Sequence, residues 1–176
     1  MEETLETERL RLSPLTEADL DGLVELDGDP EVRRFVDPLG IIIPIEPGER
    51  RTYEWERFVS PGGFYGVRER VGNAFVGWIQ LEAVPDREDE AELGYRFRRN
   101  VWRLGYATEG GRALVAHGFE VLGFRRIFAH TLNDNPASIR VLEKIGLTVA
   151  GCWSYRDMPG VEYAIERDGS GAPTTA

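Results

Sequence analysis

Two turns, one placed just before each of two helical stretches, constrain this chain more than anything else in it. In the first, an alternating strand over Ala91–Phe97 passes through Trp102-Arg103-Leu104-Gly105-Tyr106-Ala107-Thr108-Glu109 directly into a helical pattern. In the second, a strand over Arg126–Leu132 runs into Asn133-Asp134-Asn135-Pro136-Ala137-Ser138, which opens another helix. A glycine turn between strand and helix leaves backbone N–H groups unpaired at the positive end of a helix dipole, a natural seat for phosphate. A P-loop would need Gly-Lys-Ser/Thr after the glycine, and the chain has none. A dinucleotide fingerprint needs three glycines at set spacing, which Gly105, Gly110 and Gly111 do not provide.

Read in order, Leu10, Leu12 and Leu15 alternate with polar residues as a first strand. Thr16 caps a helix over Glu17–Leu26, with Asp19 at the capping-box position. Asp29-Pro30 starts a short helix through Val36. Asp37–Gly48 is an apolar loop carrying Ile41, Ile42, Ile43 and Ile45, expected to fold over the core, or to line an acceptor pocket or a dimer contact. Tyr53, Trp55 and Phe58 fall on a helical stripe within Glu49–Val59. Phe64–Arg68 and Ala74–Ala83 read as a hairpin, and Pro85–Glu90 as a charged turn. Leu104, Ala107, Gly111, Leu114, Val115, Gly118, Phe119 and Leu122 give the helix after Gly105 one apolar face, and Gly123 stops it. Asn135 is the N-cap of the last helix, Pro136 its first residue, and Gly146 lies just past its end. Thr148–Tyr155 and Val161–Glu166 close the sheet. The expected organisation is one domain over residues 1–167 and a small, polar, unstructured tail over 168–176.

Composition excludes several classes. The formal net charge of −10 argues against nucleic-acid binding and favours a cationic partner. No apolar run is long enough to span a membrane, and the acidic start (Glu2, Glu3, Glu6, Glu8) is unlike a secretory leader. A single cysteine, Cys152, allows no internal disulfide and fits a reducing cytoplasm. No zinc cluster is expected from two histidines and one cysteine apart in sequence. Against this acidity, Arg96, Arg98, Arg99 and Arg103 form a basic island before the turn.

Glu92–Tyr95, Trp102–Glu109 and Asn135–Gly146, above all "GYATE" followed by "NDNPASIRVLEKIG", resemble the GNAT superfamily of acyl-CoA-dependent N-acetyltransferases. Within it they are similar to the branch that acetylates ribosomal-protein N-termini. The resemblance implies a single-domain α/β fold: a mixed, mostly antiparallel sheet with flanking helices and a splayed central strand pair, here Glu92–Phe97 and Arg126–Leu132. It also implies acetyl-CoA as cosubstrate, no metal, and a ternary complex with direct transfer to a primary amine. A protein N-terminal α-amine is the expected acceptor. A small amine (polyamine or amine antibiotic) is the alternative, and a non-catalytic CoA-binding module comes from another class. A homodimer is compatible with the resemblance.

Site residues follow on the matching positions. Backbone N–H groups of Arg103, Leu104, Gly105, Tyr106 and Ala107, with Thr108 beside them, are expected to hold the pyrophosphate. Trp102 stands where the family often has Gln or Arg, so Arg99 or Arg103 is the candidate side chain. Leu93 and Tyr95 lie on the edge offered to the pantetheine arm. Asn135 is a cap that, in the resembled family, also touches the cofactor. Ser138 is the candidate acid at the sulfur, because Leu142 sits where many of these enzymes have a tyrosine; Tyr106 and Tyr155 are reserves. Glu92 is the candidate base and His130 the second choice, with an Arg96 partner the structural alternative for Glu92. An α-amine titrates near 8 and a lysine amine near 10.4, so an N-terminal substrate needs little help.

Overall fold

The computed structural model describes residues 3–39, 42–43, 46–59 and 63–167. Its elements run β1 (Leu5–Glu6), β2 (Leu10–Pro14), α1 (Leu20–Gly28), α2 (Pro30–Arg33), α3 (Pro47–Glu54), β3 (Phe64–Glu69), β4 (Phe75–Val84) and β5 (Arg87–Phe97). They continue with α4 (Tyr106–Glu120), β6 (Arg126–Leu132), α5 (Pro136–Ile145), β7 (Thr148–Tyr155) and β8 (Met158–Glu166). The strands make an eight-stranded mixed sheet in which β1-β2-β3-β4 and then β5-β6-β8-β7 are neighbours. Only the β5–β6 ladder is recorded as parallel; β1–β2, β2–β3, β3–β4, β6–β8 and β7–β8 are antiparallel. This is the α/β architecture with flanking helices expected from the sequence. Two compact units divide the chain, residues 1–80 with 95–106 and residues 81–94 with 107–176; β4 and β5 each contribute to both.

In the first unit Leu10 and Leu12 are wholly buried while Arg11 between them is exposed, the alternation of a half-buried strand. The Thr16 N–H and hydroxyl both donate to Asp19 Oδ2, at 2.9 and 3.0 Å, and the helix starts with a 3₁₀ turn over Glu17–Asp19. Leu20, Leu23 and Leu26 of α1 then join Leu15, Val32, Phe58, Phe64 and Trp78 in one cluster. Each such side chain contributes about 1.5–3 kcal/mol by leaving water. α2 is shorter than expected: Asp29 accepts from the Glu31 N–H, but Arg34–Val36 form a turn. Asp37 is buried and accepts from the Ile42 and Ile43 N–H groups at 3.1 and 3.0 Å, turning Ile43 inward and Ile42 outward. Gly40, Ile41, Pro44 and Ile45 of that loop lie outside the described residues, and α3 begins within it at Pro47.

α3 passes into a π turn over Trp55–Val59 that drives Phe58 against Phe64 and Trp78, each with ring centroids 5.0 Å away. Trp55, expected on the apolar stripe, instead faces out at 41% exposure. Two residues beyond Tyr53 is about 200° around a helix, so both cannot face one core.

In the second unit β5 starts at Arg87, after a two-residue turn at Pro85-Asp86 with Asp86 at φ 66°. The expected charged turn over Pro85–Glu90 is thus mostly strand. α4 buries Leu114, Val115 and Phe119, and at Gly118 it approaches so closely that a Cβ would stand 2.7 Å from Leu81 and 2.9 Å from Ile127. Leu104 and Leu122, at the ends of the predicted apolar face, are both about half exposed, because the helix ends before either can turn inward. α5 is capped as predicted: Asn135 Oδ1 accepts from the Ser138 N–H at 3.2 Å, and Gly146 closes it at φ 116°. Arg112 of α4 donates to the Lys144 carbonyl at the same end. β8 begins at Met158, and the β7–β8 turn holds Arg156 and Asp157 at φ 47° and 66°. The predicted tail, 168–176, lies outside the described residues.

Candidate active site

The β5–β6 ladder is short. Glu90, Ala91 and Glu92 pair with Arg126, Ile127 and Phe128, and the recorded pairs stop there. Beyond that point β6 stays paired to β8 through Leu132 opposite Gly160, while β5 runs on to Phe97. The ladder thus ends at Glu92 and Phe128, within the strands over Glu92–Phe97 and Arg126–Leu132 that were expected to part, and its end is called the fork. Leu93, just beyond the last pair, has a buried side chain; Tyr95 is partly buried.

Strand alternation puts Ala91, Ile127 and Ala129 in the core and turns Glu90, Glu92, Arg126, Phe128 and His130 to the other face. Glu162 is opposite His130 on β8 and shares that face. The side chains connect in one row. His130 Nδ1 lies 3.0 Å from Glu92 Oε1, and His130 Nε2 lies 3.1 Å from Glu162 Oε2. Arg126 donates to Glu162 Oε1 at 2.6 Å and to Glu90 Oε2 at 2.9 Å. Burial works to raise the Glu162 carboxyl, but hydrogen bonds from Arg126 and His130 outweigh it and hold the group below the usual carboxylate range. The imidazole is stacked on Trp153 at 4.7 Å and 15°, and Tyr155 stacks on Trp153 in turn. Phe128 meets the imidazole edge-on at 5.3 Å.

Glu92 therefore does not take Arg96 as its partner. Arg96 belongs to the first unit, where it pairs with Asp27 and lies over Trp78. The basic island is largely neutralised there too: Arg98 donates to Glu25 at 2.7 Å, and Arg99 lies 3.5 Å from Asp29. Three acids two residues apart, Glu25, Asp27 and Asp29, take up three of its four arginines. Arg103 is exposed and makes no ion pair among the described residues.

The turn ahead of α4 is held from its own unit. The Trp102 indole donates to the Phe97 carbonyl at 2.8 Å, a structural task in place of a ligand-facing side chain. Arg9 donates to the Leu104 carbonyl at 2.9 Å and lies over the Tyr106 ring, whose hydroxyl donates to Glu69 at 2.7 Å. That hydrogen bond ties Tyr106, a reserve candidate for the acid, to β3. Arg103 and Gly105 both have positive φ, 66° and 86°, and a Cβ on Gly105 would meet only Arg9, at 3.4 Å. The Leu104 N–H points back to the Val101 carbonyl at 3.4 Å. Gly105 immediately precedes α4, and Ala107 and Thr108 lie in its first turn. First-turn amides have no carbonyl one turn back, so they aim outward with the positive end of the dipole. That set of donors fits a diphosphate.

On α5, Asn135 and Ser138 are joined through the cap, and Leu142 is buried, so no acid group stands where a tyrosine would in many relatives. Among the described residues no cluster of His, Cys, Asp and Glu is arranged to hold a metal ion. The sequence reading missed Glu162, Arg126 and Trp153 around the histidine, and Arg9 under the turn. One signal was available: Arg126, His130 and Glu162 are polar positions on strands whose alternate residues are apolar.

A family model described as an acetyltransferase (GNAT) domain matches residues 9–148. Fold and match together define the class as an acetyl-CoA-dependent N-acetyltransferase. The chain is similar to FsC-acetyl coenzyme A-N(2)-transacetylase of Aspergillus fumigatus, 34% identical over 180 residues that cover 94% of this chain and 77% of that protein. The chain belongs to the GNAT acetyltransferase family. Among solved structures it resembles a GNAT-family acetyltransferase from Bacillus anthracis, with a TM-score of 0.82, 24% identity and coverage of 93% of this chain and 98% of that one. It also resembles RimL, a ribosomal L7/L12 α-N-protein acetyltransferase solved with coenzyme A, with a TM-score of 0.74, 20% identity and coverage of 92% and 97%.

Proposed function

We propose that the acceptor is a protein N-terminal α-amine, with Glu92 the group that takes its proton and Ser138 the group that donates to the departing sulfur. One observation carries the reading: Glu92 is the last paired residue of β5 at the mouth of the fork, 41% of its side chain is accessible, and its partner is a histidine instead of an arginine. A carboxylate tied to Arg would stay ionised and be a poor proton acceptor; one beside an imidazole can share an incoming proton with it. An α-amine, titrating near 8, needs no stronger base.

Acetyl-CoA supplies an activated acyl group as a thioester. The residues of this chain would bind and orient it. The N–H groups of Arg103, Gly105, Tyr106, Ala107 and Thr108 face the diphosphate, and Leu104 contributes less because its N–H turns back to Val101. Arg103, rather than the paired Arg99, adds charge. The pantetheine arm would lie along β5 at Leu93 and Tyr95, held by strand-like hydrogen bonds. Ser138, in the first turn of α5, sits where the dipole favours a thiolate, and Asn135 keeps that turn in place. The branch resemblance to ribosomal-protein N-terminal acetyltransferases supports this acceptor.

A second reading, a small-molecule amine, is favoured by the curated relative, whose name specifies an N(2)-transacetylase. Following free thiol release with acetyl-CoA separates the two. Peptides with free N-termini should react well ahead of N-blocked lysine peptides, polyamines and amine antibiotics. Equal rates on α-amines and lysine side chains would overturn the N-terminal reading, and selective turnover of a small amine would establish the second.

A further inference from the structure

We propose that Glu162, outside every position assigned above, is a positioning residue that fixes the tautomer of His130, so that His130 Nδ1 and Glu92 form a single proton-accepting site. This deepens the proposed mechanism and rests on its assignment of Glu92.

The argument is one of donors and acceptors. An ionised carboxylate only accepts hydrogen bonds, and a neutral imidazole carries one N–H and one bare nitrogen. His130 has a carboxylate at each nitrogen, Glu92 at 3.0 Å and Glu162 at 3.1 Å, so a neutral ring can satisfy only one of them. Arg126 decides which. Its guanidinium bonds Glu162 Oε1 and ties that carboxylate to Glu90, which also accepts from Arg87 at 2.9 Å. Among the described residues no arginine pairs with Glu92, which is also the more accessible of the two carboxylates, 41% against 26%. The acid that stays ionised is Glu162, so the ring N–H belongs on Nε2. The bare Nδ1 then faces the Glu92 carboxylate, and the two lone pairs repel until a proton enters between them.

The remaining surroundings hold the ring in that plane. Trp153 stacks on one side, 15° from parallel, and Phe128 meets the ring edge-on. The charged groups near His130 are Glu92 and Glu90 from β5, Arg126 from its own strand and Glu162 from β8; β7 contributes the aromatic Trp153 and Tyr155. The Glu92 carboxylate and His130 Nδ1 thus face one shared position for a proton. The proton leaves the acceptor ammonium and enters the Glu92–Nδ1 site, directly or through one water. The electron pair it leaves on nitrogen is then free to attack the acyl carbon, and Nε2–H remains on Glu162 throughout.

Two measurements test this. In the unmodified protein at a pH where the ring is neutral, long-range ¹H–¹⁵N correlation should show His130 protonated on Nε2; protonation on Nδ1 overturns the proposal. In Glu162→Gln, the acid limb of the kcat/KM profile should move down by roughly one pH unit. The plateau should fall about ten-fold, at the low end of what a positioned base supplies, with the KM for acetyl-CoA unchanged. An acid limb and plateau identical to the parent would overturn it. The kinetic arm uses whichever amine turns over fastest, so a wrong acceptor class leaves both readouts standing. The spectroscopic arm requires no turnover and no variant.

Discussion

Trp153 lies across Gly160, the residue opposite it on β8: a Cβ there would stand 2.6 Å from the indole ring and 2.6 Å from the Thr131 carbonyl. The bare backbone lets the indole reach over β8 and stack on His130. Gly160→Ala should therefore cost about 1–3 kcal/mol, the usual price of overpacking a fitted contact, measured by urea unfolding. Trp153→Leu, which leaves Gly160 alone, should keep most of the stability while lowering kcat more than it raises the KM for acetyl-CoA. Full activity in a well-folded Trp153→Leu would show that the stack does not orient the histidine.

Glu54 gives the first unit a pH dependence whose sign can be worked out. Its side chain is wholly buried, and burial, reinforced by the charge of Asp27, pushes its carboxyl up to about 9 against the opposing charges of Arg96 and Arg50. The folded state then holds a proton that the unfolded state gives up near pH 4.5. This group's contribution is fully present below that value and is lost as pH rises toward about 9, at up to ~1.4 kcal/mol per pH unit. Glu54→Gln keeps the shape and removes the ionisation. The variant should be more stable than the parent at pH 8, with the gap closing below pH 5 in denaturant titrations at each pH. A gap that stays constant with pH would contradict the assignment.

The cap of α5 separates folding from chemistry. Asn135→Ala removes the acceptor of the Ser138 N–H and should cost about 1 kcal/mol. Ser138→Ala leaves that backbone bond in place. Its kcat should fall roughly ten-fold or more if the hydroxyl assists the leaving sulfur. Unchanged turnover would remove Ser138 from the mechanism.

Arg9 is a prediction that the sequence alone could not have made. It is joined to Leu104 and Tyr106 across nearly the whole N-terminal half, and it holds the turn whose amides face the diphosphate. Arg9→Ala should raise the KM for acetyl-CoA several-fold while changing kcat little, a charge-to-carbonyl hydrogen bond contributing about 1.5–3 kcal/mol at most. A kcat effect with unchanged KM would place Arg9 elsewhere in the mechanism.

What could be read from the sequence was local. Asn135, Pro136 and Gly146 announce α5 because capping is decided by neighbouring residues, and Gly105 announces its turn for the same reason. Glu92, His130 and Glu162 are far apart in the chain, and only the parallel register of β5 on β6 and the antiparallel register of β8 bring them together. The basic island misled because charge adjacency along a chain does not show which acids will face it: Glu25, Asp27 and Asp29 are remote in sequence and close in space. Trp55 misled because it lies only two residues beyond Tyr53, on the opposite side of a helix. The expectation that these strands part came only through the family resemblance, since no alternation of residues shows where a ladder ends.

The central claim is that amides around Gly105 grip the diphosphate and so place the thioester at the fork. Calorimetric titration with coenzyme A and, separately, with pantetheine, which has the same arm and thiol but no diphosphate, tests it most directly. Coenzyme A should bind at least about 100-fold more tightly, roughly 2.7 kcal/mol, and Gly105→Val, which puts a β-branched side chain at φ 86°, should abolish most of that difference. Equal affinity for the two compounds, or no heat with coenzyme A, would contradict the account.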